Sequence, residues 1–350
     1  MSYTNGLDKP SDYFNTLLYT ADQQANRVIS GVGFQPDWVW LKNRNQAVTH
    51  DLYDAVRGAT KALHSNSNSA ETNQPDGLIA FNSDGFTVDT SWGNYATGNG
   101  YVSWNWLGGN GTASNSNGSI TSTVSANATA GFSIVKWTGS GSSATLGHGL
   151  GATPKLIIVK NRTDTVNWFL YNHSVITPSS TNKIFMTLND SRAIESNGTA
   201  TTFTSVSDTT FGVGTDNIIN GSSDNMIAYV FAEKKGYSKF DKFIGNGNAD
   251  GTFIYTGFKP AWIVMKASST TGNWGMFDNK RTGYNVKNYN LRADQTNTEG
   301  TDDAIDILSN GFKIRSTSGG FGGGSGTTYI YMAFAENPFV TSTGIPSLAR

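Results

Sequence analysis

The segment GFQPDWVWLKNRNQAVTHDLYD at residues 33–54 decides how the rest of the chain is read, because it returns twice. The same frame reappears without a gap as GATPKLIIVKNRTDTVNWFLYN at 151–172 and GFKPAWIVMKASSTTGNWGMFD at 257–278. With Pro36, Pro154 and Pro260 superposed, a lysine stands six residues later each time, at Lys42, Lys160 and Lys266. His50, Trp168 and Trp274 follow at fourteen, Tyr53, Tyr171 and Phe277 at seventeen, and Asp54, Asn172 and Asp278 at eighteen. Agreement at so many fixed offsets marks an internal repeat, and a repeat has to be settled before any element is assigned.

Between proline and lysine run DWVWL, KLIIV and AWIVM. Such β-branched and aromatic runs, too short for a buried helix and bounded by turn-formers, predict a strand near the interior of a sheet. Each proline heads its strand, where its missing N–H leaves no ladder bond unmade. A polar turn then leads to a second aromatic strand, which predicts a hairpin. Upstream, YFNTLLYT, GFSIVKWTG and YSKFDKFIGNG read as opening strands. Downstream, FNSDGFTV, SVSDTTFGV and LSNGFKI turn into Phe86, Phe211 and Phe312. YVSWNW, MIAYVFAE and YIYMAFAE close the units with Trp106, Phe231 and Phe334 in matching places, and the repetition of these aromatics predicts that they face inward. Trp168 and Tyr171, like Trp274 and Phe277, are three residues apart, a spacing that puts the members of each pair on opposite faces of a regular strand.

The expected fold is therefore all-β, three tandem antiparallel β-sandwich-like modules of about 100 residues each. They occupy residues 1–107, 131–235 and 236–340. Residues 108–130 are rich in Gly, Asn, Ser and Thr and read as a linker or an arm lying on a neighbour, and 341–350 as a tail without core pattern.

Composition narrows the function classes. Charged residues are 15% of the chain and the net charge is -1, so no basic face is expected to neutralise a nucleic-acid backbone. The absence of cysteine excludes a disulfide framework, a thiolate zinc site and a cysteine nucleophile together. No apolar run reaches about 18 residues and the N-terminus has neither a basic nor an apolar leader region, so neither membrane insertion nor an export signal is expected. The Asn-X-Ser/Thr triplets at Asn110, Asn117 and Asn189 are what abundant Asn, Ser and Thr produce by chance.

Candidate chemistry is sparse. Glu299, Asp302, Asp303 and Asp306 cluster in sequence, and Glu233 and Glu336 each follow Phe-Ala at the end of a unit, but a carboxylate recurring once per repeat reads as a solvated or edge-protecting charge. His50, His64, His148 and His173 share no metal-ligand spacing, and His50 stands where the other repeats carry tryptophan, which predicts aromatic packing. Asn246, Asn248, Asp250 and Gly251 resemble the start of a calcium loop, but Gly257 replaces its closing glutamate, so a strand-connecting turn is expected. The glycine run at 319–328 lacks the lysine of a phosphate-binding loop and reads as a hairpin loop. No catalytic residue, cofactor or metal is expected. Eight of the nine tryptophans fall inside predicted strands. Trp92, in the loop TSWGNYATGNG with Tyr95 beside it, does not, and these two rings are the candidate ligand contacts.

YFNTLLYTADQQANRVISGVGFQPDWVWLKNR, IGNGNADGTFIYTGFKPAWIVMKAS and YMAFAENPFVTS resemble the repeated domain of virion surface proteins in tailed bacteriophages, marine ones especially. The likeness spans nearly the whole chain. The first unit departs from it at its end, where Trp106-Leu107-Gly108 stands in place of Phe-Ala-Glu. The resemblance implies a non-enzymatic structural protein of capsid or tail, assembled in the bacterial host cytoplasm onto the virion surface. Its implied partners are other virion proteins, further copies of itself, and a host surface glycan. A receptor-binding tail fibre is the first alternative, although no heptad run supplies an attachment coil. A glycan depolymerase is the second, although repeats this long are unlike the short coils of a β-helix.

Overall fold

The computed structural model of the chain describes residues 6–196, 198–281, 285, 288–302 and 304–347. The protein is nearly all β, with 44% of residues in strands and 3% helical, arranged as multiple antiparallel sheets. Asp303, one of the clustered carboxylates, lies outside the described residues.

Three larger sheets share one strand order. In the first, the opening strand Phe14–Thr20 pairs with the closing strand Gly100–Trp106, which pairs with the proline-headed strand Trp38–Asn43 and then His50–Asp54. The second runs Phe132–Thr138, Asn225–Phe231, Leu156–Asn161, Phe169–Asn172 and ends on Met186–Thr187. The third runs Ser238–Ile244, Thr328–Pro338, Phe258–Ala267, Gly275–Asp278, then Asn288–Arg292 and Gly300–Asp302. Register repeats as well as order: the residue two past each proline sits opposite the terminal aromatic, as Trp38 to Trp106, Leu156 to Phe231 and Trp262 to Phe334.

Each large sheet is accompanied by a small one: Arg27–Ser30 with Gly85–Val88 and Leu78–Asn82, Ala144–Gly147 with Thr210–Val213 and Phe203–Val206, and Phe253–Tyr255 with Gly311–Ile314 and Ile305–Leu308. Phe86, Phe211 and Phe312 pair here with Ile29, Leu146 and Ile254. The large sheets are buried on both faces, which explains why WVWLKN and LIIVKN are buried at every position and read as unbroken apolar runs rather than alternating ones. Trp274 belongs to the main core while Phe277, three residues on, lies in a separate cluster with Phe312 and Ile263. In the second sheet Trp168 stacks on Tyr229 while Tyr171 packs on Phe203 of the small sheet.

The main core is common to all three large sheets. Trp106, Phe231 and Phe334 are 0%, 1% and 1% exposed, and Phe334 touches both of the others at its centre. The Phe334 ring lies 5.1 Å from Phe14, 5.7 Å from Trp106, 5.9 Å from Phe231 and 5.9 Å from Trp262, so aromatics from residues far apart in sequence converge on one point. Trp38 in turn stacks on Tyr229 at 4.3 Å.

Hydrogen bonds at the periphery follow the same cycle. The three repeated lysines are buried and each reaches a carbonyl of a different segment: Lys42 Nζ donates to Thr296 O at 3.2 Å, Lys160 Nζ to Asn68 O at 3.0 Å and Lys266 Nζ to Arg192 O at 2.8 Å. Two residues beyond them, Arg44 O accepts from Glu299 N, Arg162 O from Glu71 N, and Ser268 O from Ile194 N, at 2.9, 3.0 and 2.9 Å. Asp54 Oδ2 accepts from Tyr229 Oη at 2.8 Å and Asp278 Oδ2 from Trp104 Nε1 at 3.1 Å.

Two of the three junctions are ionic. Arg162 and Arg57 share Glu71 in one, and Arg44 and Arg281 share Glu299 in the other, with Arg57 and Arg281 also paired to buried Asp54 and Asp278. At the third junction the corresponding sequence positions carry Asn172, Val175 and Ser268, and no ion pair joins them.

Residues 108–130, read as a linker or as an arm lying on a neighbour, carry the strands Ala113–Asn115 and Ser122–Asn127, which add to the edge of the second sheet beside Phe132–Thr138. The physical reason is size. Val124 is buried in the main core, while Ser122 Oγ donates to Gly147 O and Ser125 Oγ accepts from Gly109 N, so small hydroxyl side chains pack a sheet face with their polar atoms satisfied. Ile120 also bridges to Leu146 and covers the outer edge of the small sheet.

Candidate functional site

The loop between Val88 and Gly100 rises from the first small sheet and is fixed by side chains beneath it. Asn94 is buried: its Oδ1 accepts from Asp22 N at 3.0 Å, and its Nδ2 donates to Gln24 O at 3.0 Å. Tyr19 Oη donates to Gly93 O at 2.6 Å. Gly93 itself has φ +93°, and a Cβ there would stand 3.0 Å from Val88 and 3.2 Å from Leu41, so both conformation and space call for glycine. The loop is thus pinned through residues 93 and 94, and the flanking Trp92 and Tyr95 are turned to solvent.

Trp92 is 37% exposed and Tyr95 51%, whereas the other eight tryptophans are at most 4% exposed. Both rings line a cavity of about 370 Å³ with Asn43, Val48, Asp51, Ser91, Gly93 and Tyr101. The floor comes from the first large sheet: Asn43 ends the proline-headed strand, Asp51 lies on the next strand and Tyr101 on the closing one. Trp92 also tilts against His64, ring centroids 6.1 Å apart.

Asp51 Oδ1 is held by His64 Nδ1 at 3.0 Å and Thr49 Oγ1 at 3.2 Å, while Oδ2 makes no hydrogen bond among the described residues. Burial works to lower the pKa of His64, but the bond to Asp51 and its charge outweigh burial and raise it. Asn43 Oδ1 accepts from Asn45 N and Gln46 N at 2.9 and 3.0 Å, fixing the turn. Its Nδ2 is buried without a hydrogen-bond partner of ordinary geometry. That amide lies close enough to the Tyr101 hydroxyl to lower its pKa, against the larger upward push of burial.

An Asp–His pair invites comparison with a nucleophilic triad, but no serine or threonine hydroxyl bonds His64 among the described residues, so a nucleophile with its base is not assembled here. What the arrangement offers is two exposed rings above one free acceptor, Asp51 Oδ2. A second cavity of about 330 Å³, lined by His173, Ile176, Ile194, Lys242 and Ser268, has no Trp, Tyr or Phe in its wall.

The remaining candidates are dispersed. Glu299 is bound by Arg44, Asp302 by Asn290 and Asp306 by Arg315, so these carboxylates do not converge on one point. Glu336 pairs with Lys259 at 2.8 Å, and Glu233 Oε2 accepts from Phe240 N. His50 is buried edge-on to Trp40 and accepts its Nε1–H at 2.9 Å, and burial holds its pKa well below the ordinary value. His148 is buried with a lowered pKa, and His173 faces Phe240 O at 2.8 Å. Asn246, Asn248 and Asp250 form successive side-chain turns, and Asp250 pairs with Lys313 and Arg315. No group of three or more His, Asp or Glu suited to a metal ion occurs among the described residues. The glycine run begins as the short 3-10 turn Gly319–Phe321 and leads into the strand Thr328–Pro338.

Sequence reasoning singled out Trp92 and Tyr95 as candidates but not Asn43, Asp51 and His64, which the structure places near them. Asn43 and Asp51 lie in strand segments read as structural, and only the hairpin pairing brings them under the loop.

A family model described as Domain of unknown function (DUF7483) matches residues 9–338, nearly the full length. No curated protein matches the chain. The chain belongs to the DUF7483 family.

Proposed function

We propose that this DUF7483 member is a non-enzymatic structural protein of the surface of a tailed-bacteriophage virion, built as three sandwich-like modules closed into a ring. The modules are residues 1–107, 131–235 and 236–340, each a large and a small sheet, with the strands of 108–130 laid on the second and 341–350 as a tail. The observation that carries the reading is the cycle of contacts: first segment to second, second to third and third back to first, through equivalent lysines and backbone bonds around one aromatic centre. Such closure suits a rigid block that keeps its shape on a particle, where many copies turn weak individual contacts into avidity. The phage assignment itself rests on the sequence resemblance. Partners in this reading are other virion proteins and further copies of the chain, and the aromatic loop at Trp92 is the part turned toward a host glycan.

The test is location. Tailed phage particles carrying the gene, purified by density gradient, are analysed by mass spectrometry and immunogold labelling. The protein is expected at a fixed copy number in intact particles. Recovery only from the soluble lysate overturns the proposal.

A further inference from the structure

We infer that the groove at Trp92 and Tyr95 is a saccharide subsite, taking one pyranose ring whose C–H face stacks on these rings. One of its hydroxyls donates to Asp51 Oδ2. The inference deepens the surface reading above by naming the chemistry that such a surface would grip.

Four observations converge. An indole with over a third of its surface in water is anomalous in a chain that buries every other tryptophan, and a loop pinned through Asn94 and Gly93 keeps it there. Stacking sugar on aromatic faces removes apolar surface from both partners, a gain that does not depend on charge. Asn43 sits beside the Tyr101 hydroxyl and caps Asn45 and Gln46 through its Oδ1, so the floor beneath the rings is held in place. Asp51 keeps one oxygen occupied by His64 and Thr49 and leaves the other for a ligand O–H. A cavity of about 370 Å³ lies at the lower end of the range for small-ligand sites, right for one or two sugar rings.

A quaternary ammonium ligand would need an aromatic cage around its charge. Tyr101, the third ring of the lining, has one face covered by Tyr19, centroids 5.3 Å apart and planes within 10°. His64, when protonated, also offsets the charge of Asp51. The groove therefore offers hydrogen bonds rather than a free anion.

The experiment uses the full chain and saturation-transfer NMR with glucose, galactose, N-acetylglucosamine and their common disaccharides. Intrinsic tryptophan fluorescence gives the affinity. At least one saccharide is expected to saturate in the millimolar range. Trp92→Ala should weaken it at least about tenfold. Asp51→Asn keeps an oxygen for His64 and Thr49 while turning the free acceptor into a donor, and should also weaken binding, with the circular dichroism spectrum unchanged. Tyr255→Ala, which removes an exposed ring on the third small sheet, should change nothing. Silence toward every saccharide, binding that survives Trp92→Ala, or binding of tetramethylammonium alone each overturns the inference. Because the readout is on purified protein, failure here is separable from failure of the particle assay.

Discussion

Phe334→Ala is the sharpest test of a core held in common. The ring has centroid contacts of 5.1 to 5.9 Å with Phe14, Trp106, Phe231, Tyr237, Phe240 and Trp262, drawn from all three large sheets, and is 1% exposed. Truncating a buried phenylalanine typically costs about 3 to 5 kcal/mol, made of lost transfer energy and the cavity left behind. A rigid wall of indoles and phenyl rings collapses poorly, which places this site near the upper half, about 4 to 5 kcal/mol. With an unfolding entropy of about 2.1 cal/mol/K per residue, 350 residues give about 0.7 kcal/mol/K, so Tm should fall by about 6 °C. Urea unfolding followed by fluorescence measures the energy, and hydrogen exchange read by mass spectrometry measures its reach. Protection should drop together in 14–20, 225–231 and 238–244, because Phe14, Phe231 and Phe240 each border the cavity. Loss confined to 238–338, with the other two segments unchanged, would refute the shared core and leave three independent domains.

Three further expectations follow from the junctions and from one exposed sheet edge. Arg281→Met strands Asp278 and should cost about 3 to 5 kcal/mol, whereas the pair Asp278→Asn with Arg281→Val, copying Asn172 and Val175 of the neutral junction, should recover most of that in the same urea titration. Burial lowers Lys42, Lys160 and Lys266 to about 8 from an ordinary 10.5. Between those values the unfolded chain binds more protons than the folded one, so stability should rise from pH 8 toward pH 10 and be flat below 8. A falling urea midpoint across that window would mean that the carbonyls around each ammonium hold its proton after all. Phe253→Ala, at a 44% exposed edge position, should shift Tm by less than about 1 °C in differential scanning calorimetry.

The strands were legible wherever an apolar run met a proline or a turn, as at Trp38–Asn43, Leu156–Asn161 and Phe258–Ala267. Two things were not legible. Apolar periodicity says that Trp106, Phe231 and Phe334 face inward but not that they face one another, since burial within one sheet and burial between sheets leave the same pattern. Composition also left Ser122–Asn127 open between linker and arm, because small polar side chains meet both the needs of a linker and those of a sheet edge whose hydroxyls find carbonyls. The groove divides the same way: Trp92 and Tyr95 stood out as aromatics on a glycine-bearing loop, while Asn43 and Asp51 are ordinary strand residues until the hairpin aligns them.

The closing junction has a consequence for how the chain comes to be folded. Arg44 and Glu299 are 255 residues apart, whereas Glu71 and Arg162 are 91 apart and Arg192 and Lys266 are 74 apart. The entropy of the longer loop adds only about 1 kcal/mol, since each doubling contributes roughly 0.6. Time is the larger matter. At a translation rate of about 5 to 20 residues per second, Glu299 leaves the ribosome roughly 13 to 50 seconds after Arg44. During that interval Trp40, Trp104 and Trp106 have no third sheet to cover them. The first third of the protein therefore waits with its most adhesive surface bare, and its yield in a cell depends on what shields those indoles until the last strand arrives.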